Sequence, residues 1–223
     1  MSVDYSKPDV WWDEYRSHYE HRTWRDYRLL LADVVTHGEG GTLLDLGCGL
    51  GFLVECARRW GIKSVGLEAS GKALAACRER HPEADVREWQ AGEPLPIEDG
   101  TIGLALANEF IDHISPDQNQ QLFQELRRVL RPGGILMVRS PSRFNRFDDD
   151  KGHITFFSPK EFRRFVEEFG FHVVDQPFSP QPLLGQSFIG RAALRAIVRV
   201  VQPDWLAARI DLVARMPLRT NGR

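Results

Sequence analysis

From residue 42 onward the chain alternates two kinds of pattern. Short runs dominated by Leu, Ile and Val predict strands at 42–46, 64–68, 84–88, 101–107, 135–140 and 171–175. Longer stretches with apolar residues every three or four positions predict helices at 50–60, 70–80, 116–130 and 159–169. The boundaries carry chemistry of their own. Ser115 with Gln118 and Ser158 with Glu161 form capping boxes, Pro116 suits a first helical turn, and Gly170 stops a helix. Arg131-Pro-Gly-Gly134 ends the 116–130 helix and turns into the next strand. This strand–helix alternation argues for an α/β fold, a parallel sheet with helices on both faces. Upstream, residues 10–36 read as a helical segment. Its second part has the periodicity of a helix docked on a sheet. Its first part carries Trp11, Trp12, Tyr15, Tyr19, Trp24 and Tyr27, more rings than docking alone requires.

The first strand holds one acid, Asp45, and runs into Gly47-Cys-Gly-Leu-Gly51. Glycines at alternate positions before a helix make a turn whose bare backbone lets a bulky ligand lie close. A dinucleotide loop wants G-x-G-x-x-G, with its third glycine opening the helix. Here Phe52 stands at that third position, and Asp45 would repel a phosphate but attract an ammonium. Both features oppose a nucleotide-cofactor oxidoreductase. Glu68 closes the second strand, where an acid suits the two hydroxyls of a ribose.

These segments resemble the first two motifs of the class I S-adenosylmethionine (SAM) dependent methyltransferases, of the small-molecule, methyltransferase-11-like type. The resemblance continues in order through Pro94–Thr101, Asn108–Ile114, Glu125–Gly134 and Phe157–Phe162, and covers roughly residues 42–176. It implies a Rossmann-like doubly wound sheet of seven strands, mostly parallel with an antiparallel last strand. Ile210–Met216 alternates, ends at Pro217 and fits that last strand. Residues 1–223 are then expected to form a single domain, with 10–36 as an N-terminal helical cap. Residues 177–206 become an insertion between the last two strands, with a Pro-rich start and a helix at about 187–202. In the resembling enzymes the segment before the first strand often covers the cofactor or shapes the acceptor pocket. The plainer alternative is a helix that buries its own rings, and both can hold.

The resemblance also assigns roles. SAM is the expected cofactor, S-adenosylhomocysteine its product. Gly47, Cys48, Gly49 and Gly51 contact the donor, Asp45 faces its amino group, and Glu68 with Ala69 takes the ribose. After the third strand the family usually supplies an Asp to the adenine amine; here Gln90 stands in that place beside Ala91, and Trp89 either stacks on the ring or fills core. Asn108, ending the fourth strand, lies under the sulfonium. Methyl transfer is a one-step in-line displacement, so alignment, worth about 7–11 kcal/mol, is the main contribution asked of the protein. Where the acceptor must lose a proton, His113 and His153 are the candidate catalytic bases, since an unperturbed imidazole titrates near neutrality. For either one the alternative is a hydrogen bond that fixes a loop.

Composition narrows the acceptor. The chain is 42% hydrophobic and 27% charged, ordinary for a globular protein, and its net charge of −2 supplies no general phosphate-binding face. No Asn/Asp-Pro-Pro-aromatic run follows the fourth strand, and no cysteine follows a proline, which disfavours the nucleic-acid methylases. A small-molecule, glycan or lipid-linked acceptor is expected. Arg191, Arg195 and Arg199 lie at four-residue spacing near Arg209 and Arg215, and either meet an anionic acceptor or membrane surface or form a solvated face. The cysteines Cys48, Cys56 and Cys77 lack zinc spacing, and Asp148-Asp149-Asp150 reads as a solvated turn, so no metal is expected. There is no signal-peptide core and no long apolar run, which makes a cytoplasmic location the default. The alternative to an enzyme is a non-catalytic SAM-binding regulator with the same donor motif.

Overall fold

The computed structural model describes residues 7–38, 40–145, 152–180, 204 and 207–218. Among the described residues eight strands form one sheet: β1 (Thr42–Leu46), β2 (Ser64–Glu68), β3 (Val86–Glu88), β4 (Ile102–Asn108), β5 (Leu130–Pro141), β6 (His172–Asp175), β7 (Phe178–Pro180) and β8 (Ala207–Arg215). Their order is β3-β2-β1-β4-β5-β8-β6, with β7 also paired to β8. The pairs from β3 through β5 are parallel, and β8 runs antiparallel to β5, β6 and β7. This is the expected Rossmann-like sheet with an antiparallel last strand between the fifth and sixth.

Alternation along the central strands builds a core on each face. Leu44, Leu46, Ala105 and Ala107 point to one side, where α5 (Pro116–Val129) and α6 (Pro159–Glu168) bring Phe123 and Phe162. Leu43, Leu104 and Leu106 point to the other, against Leu31 and Val34 of α2 (Arg28–His37) and Leu53 of α3 (Phe52–Arg59). The remaining helices are α1 (Pro8–Tyr15) and α4 (Gly71–Arg80). Both predicted capping boxes form: Ser115 Oγ accepts from Gln118 N at 3.2 Å, and Ser158 Oγ from Glu161 N at 3.3 Å.

Three boundaries differ from the sequence pattern. The segment 10–36 is not one helix; 3₁₀ turns at Arg16–His18 and Trp24–Tyr27 break it. Thr23 and Asp26 form a capping box there, with Thr23 N donating to Asp26 Oδ2 at 2.7 Å, so the chain restarts rather than continues. Residues 130–134 belong to β5 rather than to a turn, because Leu130 pairs with Ile102 before a register shift absorbs the Pro-Gly-Gly. Finally, β7 lies in what reads as a loop. Pro177 interrupts the edge of the sheet after β6, and pairing resumes at Phe178, with Pro180 at the strand's end where its missing N–H costs least. The expected helix at 187–202, with Arg191, Arg195 and Arg199, and the Asp148–Asp150 run lie outside the described residues. Among the described residues no helix is long and apolar enough to cross a membrane.

Candidate functional site

The site forms where β1, β2 and β4 end. Gly47, Gly49 and Gly51 all have left-handed φ, at 70°, 51° and 68°. A Cβ on Gly47 would stand 2.6 Å from the Phe110 ring, whereas one on Gly49 would meet nothing within 4 Å. Gly47 therefore packs its backbone under an aromatic ring, and Gly49 presents bare backbone to open space. The loop is pinned from below by Gly47 N and Cys48 N, which both donate to Leu67 O at 2.9 and 3.0 Å.

Glu68 fastens the loop from the side. Its Oε2 accepts from Gly49 N at 2.9 Å, and its Oε1 accepts from Ala69 N at 2.9 Å and Ser70 N at 2.8 Å. Burial pushes this carboxyl up from its ordinary range, and the three backbone donors pull it part of the way back. A carboxylate has about four lone-pair sites, so one stays open toward the cavities. Asp45 is 6% exposed, and burial, reinforced by the nearby charge of Glu68, raises it to about 7.

Two cavities meet above these residues. The larger, about 810 Å³, is lined by Asp45, Gly49, Asn108 and Arg209 together with Trp12, Tyr19 and Tyr27 of the N-terminal segment. The smaller, about 330 Å³, is lined by Ala69, Trp89, Gln90, Ala91, Phe110 and His113. Gly47, Glu68 and Glu109 border both. Trp89 is a buried core residue whose Nε1 donates to Glu93 O at 3.1 Å, and it also borders the smaller cavity. Trp12 of the N-terminal segment is likewise buried and lines the larger cavity. α1 is held over the site by Asp9, which accepts from Ser70 Oγ at 2.6 Å. The structure thus gathers Asp45, Gly47, Cys48, Gly49, Glu68, Ala69, Gln90, Ala91 and Asn108 around two joined cavities. Gly51 instead turns toward Cys77, whose sulfur a Cβ would meet at 2.4 Å.

The histidines sit differently. His113 borders the smaller cavity, with Nδ1 3.2 Å from Gly152 O. His153 is nearly buried, its Nε2 2.7 Å from Asp112 Oδ2, and its ring lies 4.7 Å from that of His113. Neither lines the larger cavity.

Glu109 was not singled out by the sequence, although it lies in the Asn108–Ile114 segment of the resemblance. Its φ of 51° is the one left-handed value at a non-glycine among the described residues. Such strain marks places where surrounding contacts fix a side chain's direction. Its carboxylate pairs with Arg209 at 3.0 Å, and burial raises it to about 7. Gln118 was also missed as a site residue. Its Nε2 donates to Ala91 O at 2.8 Å and so holds the turn beside the smaller cavity.

A glycine loop, a carboxylate at the end of β2 and a cavity above the switch in strand order form the ligand cleft of a Rossmann-like sheet. Residues 44–138 match the family model described as "Methyltransferase domain". Trans-aconitate 2-methyltransferase of Azoarcus sp. (strain BH72) is 34% identical over 60% of this chain and 52% of its own length. A Mycolicibacterium smegmatis protein named a probable SAM-dependent methyltransferase is 28% identical over 70% of this chain and 62% of its own. The crystal structure of a SAM-dependent methyltransferase from Archaeoglobus fulgidus superposes with a TM-score of 0.66 at 16% identity, covering 92% of this chain and 98% of that one. The matches span about half the length of the curated relatives. In the match over residues 44–138 and in its fold, the chain is similar to the class I SAM-dependent methyltransferases.

Proposed function

We propose that this protein transfers the methyl group of SAM to a small-molecule, glycan or lipid-linked acceptor by in-line displacement. The observation that carries this reading is the larger cavity, which begins at the glycine loop and ends among Trp12, Tyr19 and Tyr27. It leaves room for a second molecule beside the donor. The relative from Azoarcus, whose name gives a small organic acid as its acceptor, supports an acceptor of that size class.

The residues fit the donor. Gly49 leaves its Cβ position empty, which gives the donor room to lie on backbone. Glu68 keeps a lone pair for the ribose, Gln90 and Ala91 border a space for adenine, and Asp45 offers a carboxylate to the donor's ammonium. When bound, SAM supplies a methyl group already activated on a sulfonium. Glu109 borders both cavities and Asn108 lines the larger one beside it, so they border the path of the attacking atom. Glu109, held in its direction by the left-handed backbone, takes the acceptor's proton. His113 and His153 act through position, joining the segment after β5 to the start of α5.

Incubation of the pure chain with methyl-labelled SAM and a panel of organic acids, phenols, sugars and lipid-linked acceptors tests this. Labelled product from at least one class, lost in Glu109→Gln but with S-adenosylhomocysteine still bound, supports the reading. Tight binding of S-adenosylhomocysteine without transfer to any class supports the regulatory alternative instead.

A further inference from the structure

We propose that Asp112, His113 and His153 form a binding site for a divalent first-row transition-metal ion. Asp112 Oδ2 lies 2.7 Å from His153 Nε2 and 3.6 Å from His113 Nε2, and all three atoms fall within 4.8 Å of one another. With these spacings one point ~2.4 Å or less from each atom exists, close to the ~2.0–2.2 Å of zinc–imidazole and zinc–carboxylate bonds.

The groups behind the three atoms hold them in place. Asp112 is 1% exposed, and its other oxygen, Oδ1, accepts from Ser140 Oγ at 3.0 Å. Its backbone carbonyl accepts from Ile154 N at 2.8 Å and Thr155 N at 3.1 Å, which hooks the segment carrying His153 against the carboxylate. His113 turns Nδ1 to the Gly152 carbonyl, which can only accept. The tautomer that makes this bond leaves Nε2 as the basic nitrogen, the arrangement seen behind metal-bound imidazoles. Oδ2 itself is buried, with His153 Nε2 at 2.7 Å and His113 Nε2 at 3.6 Å around it.

Two imidazoles and one carboxylate select zinc, manganese, iron, cobalt or nickel over the harder calcium and magnesium. Three protein ligands leave at least one position for water or an acceptor oxygen. His113 borders the smaller cavity, which opens that position toward the donor side. No metal was expected from the cysteine spacing or the Asp148–Asp150 run; Asp112 and His113 are chain neighbours but His153 lies far along the sequence, and only the fold makes a triad of them. This inference does not depend on methyl transfer.

Cobalt(II) titration of tag-free, chelator-treated protein tests it directly, read by visible absorption and by the thermal midpoint. The expected result is one equivalent per chain, a nitrogen/oxygen ligand-field band and a raised midpoint. His113→Gln and His153→Gln, checked for folding by circular dichroism, should each weaken uptake at least ~10-fold. If a variant fails to fold, the wild-type spectrum still decides. A strong near-ultraviolet thiolate band would place the ion on Cys48, Cys56 or Cys77 and overturn the assignment. So would the absence of uptake by folded wild-type protein, or uptake that both folded variants retain.

Discussion

Replacing Asp45 by Asn should stabilise the empty protein and weaken its hold on the donor. The carboxyl is 6% exposed, sits beside Glu68 and is raised from 3.8 to about 7. Between those values the folded chain keeps a proton that the unfolded chain has released. Stability therefore falls as pH rises through this window, and the full cost is present above pH 7. A rise of 3.2 units at about 1.36 kcal/mol per unit sets a ceiling of about 4 kcal/mol. Asparagine keeps the shape and never ionises. Urea unfolding at pH 8 should show Asp45→Asn more stable than wild type, by up to that ceiling. At pH 5 the gap should shrink below about 2 kcal/mol, because only about one unit of the window has been crossed. Saturating S-adenosylhomocysteine should reverse the order at pH 8, since its ammonium rewards the carboxylate and not the amide. An Asn variant no more stable than wild type at pH 8, or a gap that does not change with pH, would refute the reasoning.

Glu68→Gln should cost both stability and affinity, because an amide cannot accept from all three backbone N–H groups; about 2 kcal/mol in urea unfolding and a tenfold or greater loss in calorimetric affinity for S-adenosylhomocysteine are expected. Gly47→Ala forces a side chain onto a backbone at φ 70° and against Phe110, so it should lose at least about 1–2 kcal/mol and shift tryptophan fluorescence from Trp89, which packs 6.2 Å from that ring. Phe123→Ala, by contrast, should lower stability by about 3–5 kcal/mol, since its ring touches Phe162, Phe165, Phe169 and Phe171 far from the loop. At temperatures where that variant stays folded, its affinity for the donor product should match wild type.

The sheet was legible because its central strands are buried on both faces and read as unbroken apolar runs, as in Ile102-Gly-Leu-Ala-Leu-Ala107. Helix starts were legible because Ser115 and Ser158 cap with their own side chains. Local signals misled where pairing with distant residues overrode them. Pro132-Gly-Gly134 looks like a turn until Leu130 finds Ile102, and Pro177 and Pro180 hide a strand that only β8 reveals. The Thr23/Asp26 box was as readable as the other two but lay inside an aromatic run that suggested continuity. In the site, the glycines and Glu68 announce themselves by spacing. Glu109 does not, because its importance lies in a backbone angle and in the two cavities it borders. Asp112 does not either, because its closeness to His153 comes only from the Ile154 and Thr155 bonds across the loop.

The glycine loop and Glu68 together form the proposed adenosyl site. Isothermal titration of folded wild-type chain with S-adenosylhomocysteine, with NADH in a parallel cell, examines that most directly. One equivalent of S-adenosylhomocysteine bound with measurable heat, lost in Glu68→Gln, and no heat from NADH is the predicted outcome. Heat from NADH alone, or from neither ligand, would contradict it.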